Sequence, residues 1–161
     1  MALSKKSEVE ALADALVRSA DAIHERIIKG IQRQQLKQAQ AHSLFQDETS
    51  LRVKANALYL EAVKLTVGDL EIAQANLIKV MDKATSQVKT IETIAGFVDL
   101  VADLLVVAAA AYAARPGPII AALDEVRKDV GERSLFPGKR KSTAPTVSTK
   151  RLEKVRQPRR R

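Results

Sequence analysis

Residues 104–114 read LLVVAAAAYAA, eleven residues with no charge and one hydroxyl, on Tyr112. The composition is helical, yet there is no polar face. A helix that is apolar all round must be covered by its own chain, by a partner or by lipid. Every other segment has to be read against that demand.

Lipid is the least favoured covering on energetic grounds. The 21 residues 94–114 would span a bilayer by length. Asp99 and Asp103 at the centre of a span would cost about 5–7 kcal/mol, and nine Leu, Ile, Val and Phe return only about 3–5 kcal/mol. A soluble bundle can cover the run if the rest of the chain supplies amphipathic helices. Asp99 and Asp103 are four apart and share a helix face, as a solvated stripe or as a site for a basic group on a partner helix.

Those amphipathic helices are visible. Ser7 followed by Glu10 spells a capping box. Val9, Leu12, Leu16, Ala20, Ile23, Ile27 and Ile31 then recur at steps of three and four, the stripe of a first helix. Gln32 to Ala41 reads as its exposed continuation, and His42 to Ser50 as a polar turn with Asp47 or Thr49 as the next cap. A long seam follows. Leu60, Val63, Val67, Leu70, Gln74, Leu77, Met81, Ala84, Val88, Ile91, Ala95 and Val98 keep heptad spacing without a slip. The spacing predicts one long central helix running through Gly68, with Gly68-Asp69 as the alternative break. Leu51, Leu58, Leu65 and Ile72 make a second stripe almost opposite, so the first half of that helix is expected to be sandwiched.

Gly96 offers a bend before the apolar run, and Arg115-Pro116-Gly117-Pro118 ends it. Pro118 suits the first position of a closing helix whose stripe is Ile119, Leu123, Val126 and Val130, stopped by Gly131. No segment alternates like a strand. The fold class is all-α, an antiparallel bundle of four to five helices over residues 1–136.

Charge divides the chain differently. From Phe136 to Arg161 there are ten basic residues and one acid, Glu153, which leaves 17 basic and 18 acidic residues in the remainder. Residues 137–161 are Pro, Ser, Thr, Lys and Arg with almost nothing apolar, and cannot offset their ordering entropy. The expectation is a disordered basic tail. Lys139, Arg140, Lys141, Lys150, Arg151, Lys154, Arg156, Arg159, Arg160 and Arg161 are its candidate anion- or nucleic-acid-binding residues. No aromatic lies beyond Phe136, so bases could not stack on the tail, and any nucleic-acid binding would be sequence-nonspecific.

Catalytic and metal chemistry finds little footing. Asp21-x-x-His24 has half the spacing of a bundle metal site, but His42, the other histidine, has Ala39 where a carboxylate would be needed. The chain has no cysteine, no Gly-rich phosphate loop and no nucleophile elbow. No metal, cofactor or enzyme activity is expected. The absence of cysteine and the charge interrupting residues 1–20 fit a cytoplasmic protein. Three roles remain: an interaction or adaptor protein that docks a protein partner or itself, a nucleic-acid-binding protein acting through its tail, and a membrane-active or pore-forming protein using residues 96–114.

Overall fold

A computed structural model describes residues 3–68, 70 and 72–131. These residues form five helices and, among the described residues, no strand: α1 (Lys6–Gln32), α2 (Gln38–Glu61), α3 (Gln74–Thr90), α4 (Ile94–Tyr112) and α5 (Pro116–Asp129). α1 lies against α2 and α3, while α4 lies against α2 and α5. The all-α bundle expected from the sequence is present. The expected 136/137 boundary and the whole basic tail lie outside the described residues.

The first helix follows its stripe. Val9, Leu12, Leu16, Ala20, Ile23 and Ile27 are buried, and Ile31 at the end is exposed. The cap sits earlier than Ser7 and Glu10 suggest. Glu8 accepts from the Lys5 backbone N–H and from the Ser4 hydroxyl, both at 2.8 Å. Ser7 stays exposed, and Glu10 pairs with Lys6 at 3.4 Å.

The turn between α1 and α2 is at 33–37, not at 42–50. Gly30 explains why. Its carbonyl accepts from the N–H groups of Gln35 (2.9 Å) and Leu36 (3.3 Å), with Gln34 in the left-handed region at φ 56. This folds Leu36 back onto the helix end, where a Cβ on residue 30 would stand 2.6 Å from Leu36 Cδ1. Any larger residue there would have to push the Leu36 side chain aside. His42 to Ser50 is therefore helical, inside α2.

The core face of α2 is Ala41, Leu44, Glu48, Leu51, Ala55 and Leu58, at steps of three and four. The buried carboxylate at position 48 hides this stripe in the sequence. Glu48 is satisfied by the Arg52 guanidinium, which also reaches Asp21 of α1 at 2.8 Å. His24 Nδ1 lies 3.4 Å from the other Glu48 oxygen, and its ring sits 5.6 Å from that of Phe45. Asp21 and His24 thus serve the α1–α2 seam.

The expected long central helix is cut twice, after Glu61 and at 91–93. Its two stripes could not both be covered. A helix continuing past Glu61 would point one stripe into water. In the link between α2 and α3, Leu65, Val67, Leu70 and Ile72 are all buried. The Val67 N–H anchors this link by donating to the Leu3 carbonyl at 2.7 Å. The heptad seam survives only in α3, where Leu77, Met81, Ala84 and Val88 are fully buried, while Leu60 (86%) and Val63 (70%) face solvent. The region does lie between two neighbours, α1 and α4, but both are met by the face that carries Leu51 and Leu58, and the opposite side with Leu60 and Val63 stays open.

The closing helix keeps its stripe, with Ile119, Leu123, Val126 and Val130 all buried. It starts two residues before the expected point, because Pro116 and not Pro118 takes the first helical position. Gly131, at φ 70, closes it in the conformation that a glycine adopts freely.

Candidate docking face on helix α4

The Thr93 hydroxyl caps α4 by accepting from the Gly96 N–H at 3.3 Å. From there Phe97, Leu100, Val101, Leu104, Val107, Ala108 and Ala111 turn into the core. The rod was expected to be covered on all sides, and it is covered on one. Neighbouring helices reach only this face. On the opposite side Ala95, Val98, Ala102, Val106, Ala109 and Ala113 are exposed, again at steps of three and four, with Val106 at 53%; Tyr112, at the end of the helix, is exposed at 43%. The result is a narrow apolar strip running the length of the helix, lined mostly by methyl groups.

Carboxylates border the strip on one edge. Asp99 is exposed, and Asp103 is half-buried where α4 meets α5. No basic residue meets them in an ion pair among the described residues. Asp103 instead faces the acids of α5. Burial, then the charges of Asp129 and Glu125, then a hydrogen bond with Asp129 push its carboxyl up from 3.8 to about 6. Lys128 is engaged by Glu125 at 2.6 Å. The edge where α4 meets α5 therefore gathers five acids, Asp99, Asp103, Asp124, Glu125 and Asp129, around two bases, Arg127 and Lys128, next to an apolar strip.

The raised Asp103 value has a signed consequence. Between about pH 4 and pH 6 the folded protein keeps a proton that the unfolded chain releases. The corresponding stability is complete below pH 4 and is lost as pH rises through 6. Asp103→Asn should remove this dependence and stabilise the protein at pH 7 by about 0.5–1 kcal/mol, a modest figure because water still reaches the half-buried carboxyl. Melting curves from pH 4 to 7 test it. Superimposable profiles for variant and parent would show that Asp103 ionises normally.

A second apolar group lies towards the end of α2, where Val53 and Leu60 are exposed two turns apart and Val63 follows them just beyond the helix. The sequence placed Leu60 and Val63 in the core seam; nothing in their spacing betrays that the helix ends beneath them. The ten basic residues proposed to bind anions, Lys139 to Arg161, lie outside the described residues. Among the described residues, no three His, Cys, Asp or Glu side chains are arranged to hold a metal ion. No protein-family model matches the chain, and neither does any curated protein or solved structure.

Proposed function

We propose that this chain is a non-enzymatic interaction protein that docks an amphipathic protein helix on the exposed strip of α4. The observation that supports it is the pairing of Val98 and Val106 with the Asp99–Asp103 edge. An apolar strip draws the apolar face of a partner, and small residues allow close backbone approach. The carboxylates favour a partner with Lys or Arg beside its apolar stripe. The basic tail acts as a separate arm for anionic surfaces.

A labelled, Leu- and Lys-containing amphipathic helical peptide tests this reading by fluorescence anisotropy against the full chain. Binding should saturate. Val98→Glu with Val106→Glu should weaken it at least about tenfold while leaving the fold intact, since both side chains face solvent. Failure to bind, or binding indifferent to these substitutions, would remove the proposal. Sedimentation at rising concentration shows whether a second copy occupies the strip instead.

A membrane reading draws on one observation: α4 is long and apolar enough to cross a bilayer by length and composition. Co-sedimentation with neutral vesicles, abolished by the same two substitutions, would replace the protein partner by lipid. For the tail, changing Arg159, Arg160 and Arg161 to Gln should flatten the salt dependence of polyanion binding by about 2–3 units of log–log slope.

A further inference from the structure

At the end of the bundle where α1 turns into α2, four cations converge on one cleft. Arg26, Lys29 and Arg33 come from the last turns of α1 and its turn, and Lys89 from the last turn of α3. The cavity measures about 540 Å³, within the range of small-molecule sites. Gln35 and Thr90 add an amide and a hydroxyl to its wall, and among the described residues Glu92 is the one acid that lines it.

Arg26 is the residue that needs explaining. It is only 6% exposed, and a charge so buried is costly unless it is paired. Its guanidinium lies over the Phe97 ring, 5.5 Å from the centroid. Nη2 donates to the Ile91 carbonyl at 3.3 Å, and Nη1 donates to Gln35 Oε1 at 3.4 Å. Both bonds are long. Among the described residues no carboxylate comes within 4 Å of it. A guanidinium offers five N–H donors in a fixed fork, and the cavity is where the rest can be used.

The ordinary role of basic residues in the last turn of a helix is to oppose its C-terminal dipole. That role accounts for exposed Lys29 and Lys89, each on its own helix. It does not account for a buried arginine that no described carboxylate pairs with, nor for cations separated by some sixty positions in sequence meeting at one cavity.

We propose that this cleft binds a small phosphate-bearing anion, with the Arg26 fork gripping phosphate oxygens at the base and Lys29, Arg33 and Lys89 closing over them. Planar guanidinium matches two phosphate oxygens at once, and the flexible lysines supply point charges at the rim. The proposal uses no residue of the α4 strip or of the basic tail, and stands or falls without them.

The test titrates the full chain with inorganic pyrophosphate at fixed ionic strength, followed residue by residue by amide NMR. Saturable shifts are expected at Thr90, Ile91 and the Gln35 side-chain amide. Arg33→Gln with Lys89→Gln, both at exposed positions, should weaken binding about tenfold or more. Arg26→Lys keeps the charge and loses the fork, and should also weaken it. Changing Arg159, Arg160 and Arg161 to Gln should leave these shifts unchanged. A parallel titration with ADP separates the sources: equal affinity means a bare polyphosphate, tighter binding a nucleoside diphosphate. Shifts confined to residues 132–161, a titration that never saturates, or indifference to Arg33→Gln with Lys89→Gln would overturn the proposal.

Discussion

Leu77→Asp is expected to leave the protein unfolded at room temperature. Leu77 is fully buried on α3 among Val80, Met81 and Ala84. The substitution removes about 1.5–3 kcal/mol of apolar burial. It also places an unpaired carboxylate in the core at a further cost of several kcal/mol, unless the group takes up a proton. Together these approach the whole stability of a typical domain, about 5–15 kcal/mol. Far-UV circular dichroism reads the outcome. Leu77→Ala is the informative companion, since it should fold with a loss of about 2–5 kcal/mol. An aspartate variant that melts with the parent would mean that α3 is not packed as described.

Phe97→Ala should cost about 3–5 kcal/mol, the usual range for emptying a buried aromatic site. Among the described residues Phe97 is the largest fully buried side chain, and it has a second role beneath the Arg26 guanidinium. Losing the ring takes away both core volume and the face that the cation rests on. Phe97→Leu retains most of the volume and should cost much less. Urea denaturation of the two variants separates packing from the cation–ring contact. A cost below about 1 kcal/mol for the alanine would mean that the surrounding helices collapse into the gap.

Where a helix has one apolar stripe, the sequence made it plain. The α1 stripe from Val9 to Ile27 and the α5 stripe from Ile119 to Val130 are buried as their spacing predicts. Two kinds of information were missing elsewhere. Glu48 sits in the middle of the α2 core stripe, and only its pairing with Arg52 and His24 shows why a carboxylate can be there. Leu60 and Val63 keep heptad phase with Leu77 and Met81, yet spacing says nothing about where a helix stops. The break after Glu61 is decided by which residues tertiary packing can cover. The apolar run of α4 was legible as a helix, but its exposed side depends on how many neighbours arrive.

The candidate sites divide the same way. Asp99 and Asp103 could be placed on one face from their spacing, whereas the α5 acids that act on Asp103 come from a separate helix. The Arg26 cleft was not legible, because its walls come from residues 26–35 and 89–92. In a linear reading those residues are ordinary polar helix ends.

The hydrogen bond from Val67 to Leu3 binds the start of α1 to the link between α2 and α3. Leu3 is itself almost wholly buried. Trimming the chain past this leucine would therefore unfasten a loop some sixty positions away and open it to proteases. An affinity tag at the amino end should be joined through a spacer, so that Leu3 can still seat.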